Sequence, residues 1–205
     1  MANLGCAPEV ILASASEARA TLLRNAGVRL ELLRSDIDED LVKQRMICLG
    51  HGGATIARRL AEEKALDVSA KIPHALVLGG DQTLMLGATK AENRTSAEQA
   101  LIALSGRTHT LFAAFAFAWR GRLVASGAEH ATLSVRQLGE NERSRYLERV
   151  DPAVFQSLGG YQIEALGRGL FADIYGDHST ILGLPLTPVL GFLRVWVHRQ
   201  DKASC

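Results

Sequence analysis

Cysteine is scarce in this chain: Cys6, Cys48 and Cys205 stand far apart, with no C-x-x-C pair and no Cys/His ligand spacing. That removes the basis for a disulfide framework or a thiolate zinc site, and reduced thiols in a cytoplasmic protein are expected. Charge imbalance is lacking too. A net charge of +1 gives no electrostatic case for nucleic acid or an anionic membrane as partner. No apolar run approaches the roughly 18 residues that cross a bilayer, and Leu111 to Trp119 reads as a buried strand. The first residues, Met-Ala-Asn-Leu-Gly-Cys, lack the basic and apolar segments of a signal peptide, so none is expected. There is no G-x-S-x-G elbow, Walker loop or H-E-x-x-H, and those enzyme classes lose support. Low-complexity linkers and internal repeats are also missing. What remains is 205 residues with 47% hydrophobic and 22% charged content, enough for a sizeable core.

Apolar periodicity and turn signals divide the chain. Glu9 to Ala13 is a short strand, and Ser16 caps a helix with Ala18, Leu22, Leu23 and Ala26 on one face and Gly27 as its stop. Val28, Leu30 and Leu32 alternate as a half-exposed strand, followed by an acidic loop at Ser35–Glu39. A polar, Gly-containing segment leads to a helix over about Ala54 to Ala70. Lys64 lies on its apolar side, with Leu60, Ala61 and Val68 at helical spacing. Leu76 to Gly80 forms a strand that ends on Asp81, with a hairpin arm before Lys90. Thr95-x-x-Glu98 is a capping box for a helix that turns Ala97, Ala100, Leu101 and Leu104 inward and stops at Gly106. Thr108 to Val135 reads as a hairpin with Trp119–Arg122 as its turn. A helix over 140–149 ends before Pro152, short strands are expected at Tyr161–Ile163 and Leu170–Tyr175, and Pro188 opens a helix to about Gln200. Mixed helices and strands give one α/β unit.

Five polar clusters are candidates for chemistry. Ser14-Ala-Ser16-Glu-Ala-Arg19 lies at a strand-to-helix junction, where free N–H groups and the helix dipole favour an anion. Ser16 as a plain cap with a solvated Arg19 is the blander reading. Glu39 and Asp81 suit a hard cation through oxygen ligands, with phosphate completing the shell; a solvated acidic turn and a strand-end cap are the alternatives. Lys64 and Lys90 can balance phosphate charge. Gly159–Glu164 and Gly176–Thr180 are glycine turns, with His178 as a general base or simply a surface histidine.

Their order and spacing are specific. Ile11-Leu-Ala-Ser14-Ala-Ser16-x-x-Arg19-x-x-Leu22-Leu23, Ser35–Glu39, Ala61–Ala65, Gly80-Asp81-Gln82, Ser105–His109, Gly160-Tyr161 and Gly183–Pro185 together resemble the Maf family of nucleoside triphosphate pyrophosphatases over nearly the whole chain, residues 1–205. The resemblance implies an elongated, curved mixed sheet flanked by helices, two-lobed with a central nucleotide cleft, and homodimers as a common form. It implies hydrolysis between the α- and β-phosphates with a divalent metal, Mg2+ or Mn2+. Asp81 would be the proton acceptor, with Glu39 and Lys64 beside it. Glu39 and Asp81 would hold the metal, and Ser14, Ser16, Arg19, Lys64 and Lys90 the triphosphate. Lys90-Ala91 replaces the family's Lys-Pro, with Asn93-Arg94 as the other alignment.

Gln82, Glu164 and Ser157 stand where pyrimidine-specific members have Thr, Gln and Lys, a pattern similar to the branch acting on 7-methyl-GTP. The chemistry agrees: a carboxylate accepts from guanine N1–H and N2–H2, and an amide can donate to O6. Ala18 stands where that branch carries a tryptophan able to stack on the methylated base. The rival expectations are a pyrimidine (dTTP or UTP) pyrophosphatase and a non-enzymatic regulator of septum formation and cell-division arrest.

Overall fold

The computed structural model describes residues 10–87, 89–90, 97–151, 154 and 157–203. Its elements are β1 (Val10–Ala13), α1 (Glu17–Asn25), β2 (Leu30–Leu32), α2 (Glu39–Cys48), α3 (Gly53–Lys71), β3 (Leu76–Leu86), β4 (Thr89–Lys90), α4 (Ala97–Leu104), β5 (Thr108–Trp119), β6 (Arg122–Val135), α5 (Glu140–Leu147), β7 (Phe171–Tyr175), α6 (His178–Ile181) and α7 (Leu186–Ala203). One mixed seven-stranded sheet runs β2-β1-β3-β5-β6-β7, with β4 paired to β3. The expected mixed α/β sheet flanked by helices is what the chain forms. No described helix is long and apolar enough to cross a membrane.

β3 is the central strand. Its first half pairs in parallel with β1, ending at Ala13 opposite Gly79, while β5 runs antiparallel to it from Val77 to Met85. Gly79-Gly-Asp-Gln-Thr83 therefore separates two apolar regions. On one side Leu76 and Leu78 pack with Phe115, Phe117 and Val189 of α7, and Val77 packs with the alanines of β5 and α3. On the other, Leu84 joins Leu101, Leu111, Leu133, Tyr146 and Phe171. Alternation along the second half of β5 sorts the faces: Phe115 and Phe117 point at α7, where Phe117 stacks on Phe192 at 4.3 Å, and Ala114, Ala116 and Ala118 point at α3 together with Phe112. Ala57, Ala61 and Ala65 answer from the helix, so α3 lies close. A Cβ on Gly79 would sit 2.1 Å from Ala61 O, so only glycine fits there. Thr83 Oγ1 donates to Gly53 O at 2.9 Å and pins the start of α3 to the same strand.

Four local expectations need correction. The segment after Ile37 is a helix: Asp38 caps it, accepting from Leu41 N at 2.9 Å, but α2 buries no residue. Its apolar side chains follow no stripe, so periodicity could not mark it. In α1 the buried face is Ala20 and Leu23, and Ala18 is exposed; the 18-22-26 spacing imitated a face one residue away. β3 does not stop at Gly80 but continues to Leu86. Residues 161–163 form no strand. Tyr161 and Ile163 are buried around exposed Gln162, which looks like alternation, yet their loop leads into a 3-10 turn at Ala165–Leu170. Its backbone is met by side chains: Gln162 N donates to Tyr146 Oη at 3.1 Å and Ser157 Oγ to Tyr161 O at 2.8 Å. The short α6, capped by Asp177, had no sequence signal beyond that cap. Thr95 and Pro152 lie outside the described residues.

His109 joins two of the matched motifs. It is 1% exposed, and its Nε2 lies 2.6 Å from Tyr161 Oη. Burial penalises the charged ring and lowers its pKa from 6.5 to about 4. The unfolded chain thus takes up this proton near pH 6.5 and the folded chain only near pH 4, so stability falls as pH drops through that window. At about 1.4 kcal/mol per pH unit the loss is about 3 kcal/mol. We expect the urea midpoint to fall between about pH 6.5 and about pH 4 less steeply in His109→Gln than in the parent; equal slopes would contradict this account.

Candidate active site

The cleft opens where β1 ends. Between Gly79, where β1 ends, and Met85, where β4 begins to pair, the β1 side of β3 has no strand partner among the described residues, and the chain leaving β1 turns there into α1. Ser14 Oγ accepts from Ser16 N at 3.2 Å and from Arg19 Nη1 at 3.1 Å. Ser16 is indeed the cap, accepting from Arg19 N at 3.4 Å. Arg19 is not a solvated surface arginine: its Nε donates to Gly183 O at 2.8 Å. Burial lowers its pKa, while the charges of Asp81 and Glu39 work to raise it. Its guanidinium is thereby aimed across the turn that precedes α7.

Lys64 lies at the centre. It is 5% exposed on the inner face of α3; its Nζ donates to Asp81 Oδ1 at 2.8 Å and lies 3.0 Å from Glu39 Oε2. Both ions of the Lys64–Asp81 pair are buried, which demands the partners they have. Glu39, the first residue of α2, is half-buried. Burial pushes its pKa up, but Lys64 first, then Lys43 and Arg19, bring it below the usual carboxylate range. Asp81 is thus bound through one oxygen only. Its other oxygen, Oδ2, is buried without a hydrogen-bond partner among the described residues.

The cleft holds about 260 Å3, and its walls include Ser14, Ser16, Arg19, Glu39, Lys64, Asp81 and Gln82. The structure brings these seven together from four elements and the loop after β1. Arg34, Ser35 and Lys43 also line it. Ser35 opens a matched motif, but the sequence pattern did not single out Arg34 or Lys43, although Lys43 follows Glu39 by four residues and would have been noticed had α2 been recognised. A larger hollow of about 420 Å3 lies by α5, lined by Arg136, Arg145 and Arg149. Its one carboxylate, Glu142, is already paired with Arg136, so it offers no free proton acceptor.

The specificity positions fall differently. Gln82 Nε2 donates at 3.0 Å to the carbonyls of both Thr180 and Ile181, so its amide hydrogens hold α6. Glu164 is exposed, outside the cleft lining, and 3.4 Å from His178 Nε2 at the start of α6. Ala18 is exposed and outside the lining as well. Lys90 pairs with Met85 through its backbone in β4, and its side chain lies outside what the structure describes.

The donor set fits a hard divalent cation. Asp81 Oδ2 is an orphaned oxygen, and Glu39 stands across Lys64 from it. Among the described residues no three His, Cys, Asp or Glu cluster as a metal cage. Two carboxylates with phosphate oxygens completing the shell is the ordinary arrangement for Mg2+.

A family model described as Maf-like protein matches residues 9–196. The chain is 47% identical over 194 residues to a nucleoside triphosphate pyrophosphatase of Rhodopseudomonas palustris (strain BisB18), covering 93% of this chain and 95% of that one. It is 42% identical over 190 residues to a 7-methyl-GTP pyrophosphatase of Rhizobium etli, covering 91% and 96%. Among solved structures, a HAM1 protein from Coxiella burnetii overlaps 62% of this chain and 73% of its own at TM-score 0.40 and 16% identity.

Lys64→Met would strand the Asp81 carboxylate in a buried site. We expect it to cost about 3 kcal/mol in urea denaturation near pH 7. An unchanged midpoint would show that the pair carries no stability.

Proposed function

The chain belongs to the Maf-like protein family, and on that premise we propose that it is a nucleoside triphosphate pyrophosphatase acting on guanine-type, modified nucleotides. It hydrolyses the α–β phosphoanhydride, releases the monophosphate and pyrophosphate, and so keeps such nucleotides out of nucleic acids. The observation that carries the reading is the division of labour on Asp81. Lys64 fixes Oδ1, and Oδ2, left unpartnered on a residue of the cleft wall, serves as proton acceptor for the attacking water. Arg19 and Lys64 neutralise phosphate charge, and Ser14 and Ser16 form the phosphate end at the α1 N-terminus. Glu39 and Asp81 would hold Mg2+ or Mn2+, which when bound supplies charge neutralisation at the phosphate oxygens and orients the water. Phosphoryl chemistry asks for little more than that positioning.

Base preference rests on Glu164. Its carboxylate accepts well from guanine N1–H and N2–H2 and poorly matches the two carbonyls of uracil or thymine. Gln82 supports the pocket indirectly, through α6, whose first residue touches Glu164. The name of the Rhizobium relative fits the same substrate class.

Asp81→Asn should lower pyrophosphate release by at least about a hundredfold with the fold intact; full activity in that variant would overturn the proton-acceptor role. In a panel of GTP, 7-methyl-GTP, ITP, UTP and dTTP we expect guanine-type substrates to lead, and Glu164→Gln to move the preference toward pyrimidines. Parent enzyme favouring UTP or dTTP would sink the base assignment and leave the pyrophosphatase reading standing.

A further inference from the structure

Lys43 lines the cleft but has no part in the chemistry described so far. It sits on α2, a helix with no buried residue, yet its own side chain is only 13% exposed. Its nearest acid, Glu39 Oε2, is 3.7 Å away and already 3.0 Å from Lys64. A long, shared ion pair four residues apart contributes little to stability. That is a weak reason for a lysine to fold its chain inward instead of reaching solvent. Arg34, exposed at the same wall, has no partner among the described residues. Around this one cleft four cationic side chains, Arg19, Arg34, Lys43 and Lys64, face two carboxylates, Glu39 and Asp81. Arg19 and Lys64 flank Asp81, where the bond would break; Lys43 and Arg34 belong to α2 and the loop before it.

We propose that Lys43, with Arg34 beside it, is a substrate-binding residue for the part of the triphosphate that leaves as pyrophosphate. This inference deepens the pyrophosphatase reading and rests on it. An ammonium confined to a partly dry wall gives a phosphate oxygen a charge-assisted hydrogen bond, and a neighbouring guanidinium can take a second oxygen bidentately. Phosphate bound there also draws α2 toward β3 through charge, where α2 has no apolar face to do so. Phosphate that engages Lys43 would also leave the Glu39 oxygens freer for the cation it would share with Asp81.

Steady-state kinetics on the best nucleoside triphosphate, and calorimetric titration with inorganic tripolyphosphate, test the proposal on the full-length protein. Lys43→Ala should raise KM and the tripolyphosphate Kd about tenfold, with a much smaller change in kcat. Lys43→Arg should recover most of both, and Arg34→Ala should show a smaller loss of the same kind. The unfolding midpoint should move little, since the ion pair that the substitution removes is the long 3.7 Å contact with Glu39. Unchanged KM and Kd in Lys43→Ala would overturn the assignment, and so would a loss that tracks a lowered midpoint and is not rescued by arginine. If the parent releases pyrophosphate from no nucleotide, the pyrophosphatase reading fails, and the tripolyphosphate titration still decides the binding role of Lys43.

Discussion

An ammonium in the middle of a helix can be kept out of water only when carboxylates are delivered to it with matching geometry. Lys64 imposes that condition on three elements at once. Its own position comes from α3, the first carboxylate from β3 and the second from α2. The α3 to β3 distance is not adjustable, because Gly79 lets the helix backbone touch the strand and Thr83 ties down its start. Asp81 is consequently positioned by main chain on both sides, with little left to rotamer choice. Preorganisation of this kind is what positioning-based phosphoryl chemistry requires.

The third contributor is attached differently. α2 reaches the cleft through Glu39, with no apolar face buried behind it. The cleft therefore combines one rigid wall, built from β3 and α3, with one wall held mainly by charge. A polyanion entering between them meets fixed cations on one side and cations on an electrostatically docked helix on the other.

Much of this could be foreseen from residue patterns. The apolar periodicity of residues 54–70 marked α3 and put Lys64 on its inner face, where burial follows. Alternation in 108–135 around Arg120-Gly121, both with positive φ, marked the β5–β6 hairpin. The missing parts share a physical cause: their backbone groups or charges are satisfied by partners distant in sequence. Gln82 gives its amide to residues 98 and 99 positions away. The loop at 161–163 uses Ser157 and Tyr146 in place of a neighbouring strand. α2 has no stripe because a carboxylate–ammonium contact replaces its core packing. Which of the five polar clusters meet was likewise invisible locally. Three contribute residues to one cleft, whereas Glu164 and His178, from the other two, pair with each other outside its lining, joined to it through Gln82.

The polar belt on β3 has a mechanical side as well. The apolar clusters that it separates are not independent bodies, because β3 and β5 run unbroken through all of them: Leu76 to Leu84 on one strand, Leu111 to Phe117 on the other. Melting either region would pull the shared strands out of the other. The molecule should accordingly lose its structure in a single cooperative transition, with the catalytic seam no weaker than the halves it joins.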